Sequence, residues 1–281
     1  MNFYNSLLQR VKRKIPRGEL WISGEVIKES GLEQTQESLV TLSSVIGADV
    51  CFFSYTSPIQ NLPVNSGEMS VLIKKAHASG LVCGVTVDGP FERTVREHGF
   101  MEVMKLFYKT GHLQACLEKN TALAADEIKA ADRAGADLII LCDDIAYKRG
   151  LYFSPEHFKS ILLPLYRRLR NAISSDKLMG FHSDGNVESI IHSLAEEGYL
   201  AFSLEPEAMN LSELGLRLPE DAIILSGIKA EWLMGPNLEE EEIIQYINDL
   251  KNSCKLVLTS SCGLSDMRSL ERLKVIYRLV V

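Results

Sequence analysis

Short apolar runs of strand length alternate with helical patterns along nearly the whole chain. The runs predict eight strands, at residues 20–26, 49–55, 81–88, 137–144, 177–183, 200–206, 222–228 and 255–261. Most runs are apolar on both faces, which is typical of parallel strands buried on both sides. Because eight strand–helix units close a barrel, the pattern predicts an α/β fold, a (β/α)8 TIM barrel. An open doubly wound sheet is the alternative, but no G-x-G-x-x-G motif follows the first strand.

Length and linker composition predict a single domain over residues 1–281. Single-domain α/β barrels commonly have this length, and no Pro/Gly/Ser-rich linker interrupts the chain. Residues 1–18 are basic and mildly amphipathic. We interpret them as an N-terminal helical extension that lies across the bottom of the barrel. A targeting peptide is the alternative, but the segment lacks the continuous apolar core of a secretion signal.

Charge and cysteine usage exclude several classes of function. The formal net charge of −7 argues against nucleic acid or an anionic membrane surface as the main partner. No apolar run approaches the ~20 residues that span a bilayer. The six cysteines include no C-x-x-C pair and several lie inside apolar runs, which is typical of buried, reduced thiols. The sequence therefore predicts a cytoplasmic protein whose partner is a small-molecule substrate.

Polar side chains cluster where the predicted strands end, which is where barrels of this kind place their chemistry. Side chains alternate along a strand, so His182 and Asp184 point the same way if the strand continues that far, and only one of Asp143 and Asp144 can face the mouth. Imidazole, thiolate and carboxylate groups are ligands that zinc accepts. One imidazole, that of His182, one thiol, that of Cys262, and several carboxylates therefore form a candidate zinc site at this end of the barrel.

Several of these residues have an alternative structural role. Asp184 or Asn186 can cap the helix that follows, as Asp and Asn commonly do. Cys262 alone is more often a small loop or core residue. Lys229 can pair with a neighbouring acid or, if buried, form a Schiff base. Arg93 and Arg96, in the segment after the third strand, can contact an anion or remain solvated charges.

Four segments resemble the uroporphyrinogen decarboxylase superfamily. They are VDGPFERTVREHGFMEVMKLFYK, ADLIILCDDIAYKRGLYFSPEHFKSILLPLYRRL, GFHSDGNVESIIHSLAEEGYLAFSLEP and LTSSCGL. The resemblance covers most of the chain from about residue 81 onward and preserves the order of the motifs. The family fold is a (β/α)8 barrel, in agreement with the strand count.

Within that superfamily, the chain is more similar to the cobalamin-dependent methyltransferases of the methylcobalamin:coenzyme M type than to true uroporphyrinogen decarboxylase. The decarboxylases carry an arginine-rich segment after the first strand, whereas this chain has Glu25 and Glu29 there. In the methyltransferases, a His-x-Cys pair and a later cysteine hold zinc, which activates a thiol. His182 and Cys262 match that pattern, and Asp184 stands where the pair has its cysteine. The resemblance therefore implies a zinc site at His182, Asp184 and Cys262, with Glu205 as a further ligand or in place of Asp184.

The resemblance implies a corrinoid-dependent methyltransferase that transfers a methyl group between a corrinoid and a small substrate at a zinc site. A corrinoid-binding Asp-x-His-x-x-Gly motif is absent, so methylcobalamin would be free or come from a separate corrinoid protein. A metal-free decarboxylase or other lyase, and a non-catalytic tetrapyrrole- or corrinoid-binding barrel, are the alternatives. The expected catalytic residues are Asp88, Asp144 and Lys229, and the expected substrate-binding residues are Glu25, Tyr55, Tyr147 and Arg93.

Overall fold

Strands and helices alternate along the chain, as the hydrophobic pattern predicts. This computed structural model describes residues 3–11, 13–55, 62, 66–107, 110–174 and 177–280. The strands in these ranges are β1 Gly18–Glu19, β2 Val50–Ser54, β3 Val82–Asp88, β4 Leu138–Cys142, β5 Ala146–Tyr147, β6 Gly150–Leu151, β7 Leu178–Ser183, β8 Tyr199–Leu204, β9 Ile223–Ile228 and β10 Lys255–Ser260. Eight of them form one parallel sheet in the order β1-β2-β3-β4-β7-β8-β9-β10, and β5 pairs with β6 in a short hairpin.

Helices connect and cover the strands. The described helices are α1 Phe3–Val11, α2 Gly24–Glu29, α3 Gln36–Ile46, α4 Ser66–Ala78, α5 Pro90–His98, α6 Phe100–Leu106, α7 Thr110–Ala134, α8 Pro155–His157, α9 Leu163–Arg170, α10 Glu188–Glu196, α11 Leu211–Gly215, α12 Ala230–Met234, α13 Glu240–Ser253 and α14 Met267–Leu279. A π-helical turn, Phe158–Leu162, joins α8 to α9. None of the described helices is long and apolar enough to cross a lipid bilayer.

The first and last strands close the sheet into a barrel. Arg17 bridges to Leu258 in parallel, and the amide of Leu258 donates to the carbonyl of Pro16 at 2.8 Å. The buried carboxylate of Glu19 accepts from the amide of Ser260 at 3.0 Å and also from its hydroxyl. The predicted (β/α)8 barrel is therefore confirmed.

The first strand is shorter than the predicted one at residues 20–26. It ends at Glu19, and helix α2 already begins at Gly24. Ser23 is the N-cap of that helix, and its hydroxyl accepts from the amide of Val26 at 3.2 Å. A serine that caps a helix draws the backbone out of the strand. The other seven predicted strands agree with the structure to within two residues at each end.

Two apolar layers lie on either side of the sheet. Phe52, Ile140 and Val257 pack inside the barrel, and the other strand face packs under the helices. Helix α1 covers the bottom of the barrel, where Tyr4 and Leu7 join the inner layer. Residues 1, 2 and 12 of the predicted extension lie outside the described residues. This packing leaves the opposite end, where the strands terminate, open for a site.

Candidate functional site at the barrel mouth

The C-terminal ends of the strands surround a cavity of about 230 Å³. Parallel strands bring their carboxyl ends to one face of a barrel, so residues far apart in sequence meet there. Five predicted site residues lie together on its wall: Asp88, Asp144, His182, Asp184 and Cys262. The remaining lining residues are Trp21, Glu92, Arg96, Cys142 and Ser261.

His182 lies near the end of β7 and faces the barrel interior. Only 6% of it is exposed. Its Nδ1 lies 2.9 Å from Oγ of Ser203 on β8, and the indole of Trp21 packs edge-on against its ring with centroids 4.4 Å apart. When Nδ1 carries the hydrogen and donates it to Ser203, Nε2 keeps its lone pair for the cavity. An imidazole oriented in this way is suited to binding a metal.

Two carboxylates approach the same nitrogen of His182. Oδ1 of Asp144 lies 3.8 Å from Nε2, and Oδ1 of Asp184 lies 3.7 Å from it. The three potential ligand atoms are all within 4.8 Å of one another. The amide of Asp184 also donates to Asp144 at 2.9 Å, which holds the two carboxylates on one side of the mouth.

Asp184 occupies the rim of the mouth. Its side chain is 61% exposed. The protein around it nevertheless desolvates the carboxyl group and raises its pKa to about 6, an effect that the charge of His182 opposes and that of Asp144 reinforces. A carboxyl group with that pKa takes up and releases protons close to neutral pH.

Asp143 points away from the cavity, as the alternation along β4 predicts, and anchors helix α5. Its buried carboxylate accepts from the amides of Phe91 at 3.2 Å and Glu92 at 2.5 Å, and from the hydroxyl of Tyr166 at 2.7 Å. Burial raises its pKa to about 7, and these donors oppose the shift. A Cβ at Gly89 would lie 2.3 Å from Asp143 Cγ. The Gly-Pro-Phe turn therefore needs its glycine because the backbone passes directly over the carboxylate.

Helix α5 brings Arg96, rather than Arg93, to the cavity. Arg96 pairs with Asp88 at 2.9 Å. The guanidinium of Arg93 donates to the carbonyl of Asp88 at 2.8 Å and pairs with Glu127 on α7, away from the cavity. Glu127 is largely enclosed between the helices, and an enclosed carboxylate requires a cationic partner. Arg93 is therefore committed to packing α5 against α7.

Cys262 and Glu205 take different positions around the mouth. Cys262 lines the cavity but lies outside the cluster of His182, Asp144 and Asp184. Although Cys262 is exposed at the rim, desolvation by the surrounding wall, together with nearby acids, raises the pKa of its thiol to about 11. Glu205 is not part of the cavity wall; its carboxylate accepts from the amide of Gly185 at 2.8 Å. It thus supports the turn that presents Asp184.

Glu25 and Tyr55, two predicted substrate-binding residues, lie away from the cavity. Glu25 is exposed in the first turn of α2, because the first strand ends before it. Tyr55 directly follows β2, continues its outer face and packs in the layer under the helices with Phe53. Its hydroxyl is buried without a hydrogen-bond partner among the described residues. Residue alternation decides this position, because Tyr55 has the parity of Phe53 and not that of Phe52.

Tyr147 and Lys229 are also outside the cavity wall. Tyr147 lies in the β5–β6 hairpin, 48% exposed, with its ring stacked on that of Tyr152 at a centroid distance of 5.9 Å. Lys229 lies 3.3 Å from Glu242, and its ammonium group is 5.0 Å from the ring centroid of Trp232. These acidic and aromatic contacts hold the Lys229 side chain outside the cavity.

Trp21, Glu92 and Ser203 contribute to the site without having been predicted. Ser203 was detectable, since it lies on the same face of its strand as Glu205. Trp21 lay within a predicted strand whose end was misplaced. Glu92 comes to the mouth only because Asp143 anchors α5.

A second group of potential ligands lies at the bottom of the barrel. His77 Nε2 is 2.7 Å from Asp137 Oδ2, which also accepts from the amide of Cys83 at 2.9 Å. The thiol of Cys83 donates to the carbonyl of Ile73 at 3.6 Å. These bonds tie the end of α4 to the starts of β3 and β4. They account for the group as part of the fold.

The family model described as uroporphyrinogen decarboxylase (URO-D) matches residues 67–280. The chain belongs to the uroporphyrinogen decarboxylase family. That match includes all four segments with the resemblance, and all cavity residues except Trp21. A comparison with curated protein sequences gave no match.

Solved structures similar to this chain share its fold at low identity. A methyltransferase from Methanosarcina mazei has a TM-score of 0.77 at 16% identity, covering 99% of this chain and 98% of that one. A Listeria monocytogenes protein provisionally described as a vitamin-B12 independent methionine synthase has a TM-score of 0.60 at 16% identity, covering 95% of each chain. A D-psicose 3-epimerase from Clostridium cellulolyticum H10 has a TM-score of 0.57 at 11% identity, with 95% and 98% covered.

Proposed function

We propose that this protein is a methyltransferase that transfers a methyl group between a corrinoid and a small substrate at a zinc site in the barrel mouth. The observation that carries the proposal is the cluster of His182, Asp144 and Asp184, whose potential ligand atoms lie within 4.8 Å of one another beside an open cavity. Membership of the uroporphyrinogen decarboxylase family and the similarity to a methyltransferase from Methanosarcina mazei support it.

The residues of the cluster fit a divalent cation. One imidazole nitrogen and two carboxylate oxygens are ligand types that zinc accepts, and Cys262 on the same wall offers a fourth. Its high pKa means that the thiol is protonated in the absence of a cation, so binding through sulfur would release a proton. When bound, zinc supplies Lewis acidity that lowers the pKa of a substrate thiol or polarises a methylated substrate.

The other residues of the mouth orient His182 and supply the charged groups of the cavity wall. Ser203 and Trp21 hold the His182 ring. Asp88 and Arg96 form an ion pair on the wall. Because the pKa of Asp184 is about 6 in the absence of a cation, cation binding through this carboxylate would release a proton at mildly acidic pH. Lys229, paired with Glu242, has no part in this scheme.

The charge of the mouth argues against the decarboxylase alternative. Among the described lining residues, four carboxyl groups face one guanidinium, that of Arg96, and Asp88 already occupies it. A tetrapyrrole that bears many carboxylates needs several cationic partners to offset its charge. The same mouth suits a metal ion and a neutral or cationic substrate.

Metal content is the first test of this proposal. Purified parent protein, incubated with zinc and desalted, is expected to retain about one zinc per chain by mass spectrometry, because three potential ligand atoms lie within 4.8 Å of one another and Cys262 lines the same wall. The His182→Ala/Cys262→Ala variant should lose it. His192→Ala is the matched control, since His192 is 81% exposed on α10 and pairs with Glu196, away from the cavity. A parent that remains metal-free, or a double variant that keeps its zinc, would contradict the zinc site.

Methyl transfer is tested separately from metal binding. With methylcobalamin as donor, the parent should demethylate the corrinoid in the presence of a thiol acceptor, and His182→Ala should not. If the protein binds zinc but does not transfer the methyl group of methylcobalamin, the proposed corrinoid dependence is contradicted and the proposed metal site is supported. A transfer rate that is the same in the parent and in His182→Ala would contradict catalysis at this cluster.

A further inference from the structure

A second cavity, of about 400 Å³, lies at the opposite end of the barrel. It forms where α1 crosses the starts of the strands. Phe3 and Leu7 of α1 and Leu178 and Met179 of β7 give it apolar walls. Its volume is within the range of small-molecule sites and exceeds that of the mouth cavity, which is about 230 Å³.

Three cationic side chains from three different segments reach this cavity. Arg10 comes from α1, Arg170 from the end of α9, and Lys177 from the residue that precedes β7. Within the described part of the chain, Lys177 has no side-chain hydrogen bond or ion pair, and the only side-chain bond of Arg170 is from Nε to the carbonyl of Gly198, at 3.0 Å. The terminal nitrogens of Arg170 and the ammonium of Lys177 therefore have donors available for a ligand.

The two acids on the same wall offset only part of this positive charge. Asp137 uses Oδ2 to accept from His77 and from the amide of Cys83, and its Oδ1 lies 4.0 Å from Arg10, the outer limit of an ion pair. Asp221 is 64% exposed, and Lys255 lies 3.9 Å from it. Each acid has donors or a cation of its own, so the cavity presents an excess of hydrogen-bond donors with positive charge.

We infer that the bottom of the barrel holds a second binding site, for a small multivalent oxyanion such as an organic phosphate or polycarboxylate. Two guanidinium groups and one ammonium group carry N–H donors and positive charge. Phosphate and carboxylate oxygens accept hydrogen bonds from such groups. The apolar walls accommodate the carbon skeleton of such a ligand. Because Arg10 belongs to α1, binding would also fasten α1 to the barrel. This inference does not depend on the chemistry of the mouth.

Isothermal titration of the parent with pyrophosphate, and in parallel with citrate, tests the site. One anion per chain is expected, and each of Arg10→Gln and Lys177→Gln should weaken binding about tenfold, because each removes a charge-assisted hydrogen bond. The matched control is Arg168→Gln. Arg168 is an exposed arginine of α9, the helix that also carries Arg170, and it pairs with Glu118 outside the cavity. Binding of pyrophosphate alone, or of citrate alone, would assign the site to phosphates or to carboxylates.

Two further measurements distinguish this cavity from the barrel mouth. His182→Ala should bind the anion as the parent does, since the mouth is at the other end of the barrel, and a loss there would move the site to the mouth. The thermal midpoint should rise with pyrophosphate in the parent and in Arg168→Gln but not in Arg10→Gln/Lys177→Gln. Absence of binding at millimolar anion, or equal affinity in the parent and the double variant, would overturn the site.

Discussion

At the scale of single residues, His182 shows how one side chain depends on its neighbours. The ring is buried, and Ser203 and Trp21 fix its orientation from β8 and from the segment after β1. A histidine held through Nδ1 presents Nε2 in one direction, and the two carboxylates lie in that direction. Orientation of a ligand by a hydrogen bond on its far side commonly changes metal affinity by ten- to a hundredfold.

Ser203→Ala is therefore expected to weaken zinc binding about tenfold while the protein remains folded. Competition with a chromophoric chelator measures the affinity, and circular dichroism checks the fold. Ser226→Ala provides a matched control, because Ser226 is a buried serine on the neighbouring strand β9 whose hydroxyl donates to the carbonyl of Leu204 at 2.6 Å. Equal zinc affinities for Ser203→Ala and the parent would show that the hydroxyl does not orient the ring.

At the scale of elements, the connection from β3 to α5 shapes the mouth. Asp143 accepts from the first amides of α5, and Gly89 lets the backbone pass over that carboxylate. Glu92 and Arg96 reach the cavity as a consequence. A buried carboxylate at a helix start stabilises the helix because it satisfies amides that have no partner within the helix.

Gly89→Ala should destabilise the protein by about 2 kcal/mol, because its Cβ would clash with a buried group that cannot withdraw. Urea unfolding followed by fluorescence measures the change. Asp143→Ala should also destabilise the protein, by leaving two amides and the Tyr166 hydroxyl without their acceptor. Since both substitutions act on one contact, the double variant should lose less stability than the two single losses added together. If the two losses of stability are additive, the Cβ at position 89 does not clash with Asp143.

At the scale of the whole molecule, a buried acid helps to close the barrel. Glu19 on β1 accepts from the amide and hydroxyl of Ser260 on β10. Burial raises its pKa to about 7, against the effect of these hydrogen bonds. The folded state therefore binds a proton at Glu19 over a range of pH in which the unfolded chain has already released it.

Proton binding at Glu19 is linked to the free energy of unfolding. A carboxyl group with a raised pKa in the folded state favours folding below its unfolded pKa, and that contribution is lost as pH rises through about 7. The loss for Glu19 is on the order of 3 kcal/mol. Glu19→Gln keeps an acceptor for Ser260 and removes the charge, so its free energy of unfolding should fall less between about pH 5 and about pH 8 than that of the parent.

Urea unfolding at the two pH values measures this difference. Part of the slope should remain in Glu19→Gln, because Asp143, with a pKa of about 7, contributes with the same sign. Glu37→Gln is a control, since Glu37 is an exposed acid paired with Lys75 on the surface. If Glu19→Gln and the parent have the same pH dependence, the pKa of Glu19 is not raised in the folded protein.

How far the site could be predicted from sequence differs from residue to residue. Asp144, His182 and Asp184 were predictable, because residue alternation along parallel strands determines which side chains face the mouth. The choice between Arg93 and Arg96 was not, since it depends on Glu127 of a helix that packs against α5. Tyr55 could have been assigned to the outer face by the parity of its strand. Lys229 is held by residues of α12 and α13, which only the folded chain brings beside it.

By itself, the sequence determined the number and order of strand–helix units, the (β/α)8 barrel, and the strand ends that carry the candidate ligands. These features follow from local periodicity, which is set by residues a few positions apart. The tertiary structure alone decided the closure through a two-residue first strand, the packing of Trp21 against His182 and the cation-lined cavity under α1. Each of these depends on contacts between segments distant in sequence, and no local pattern records which side chain meets which.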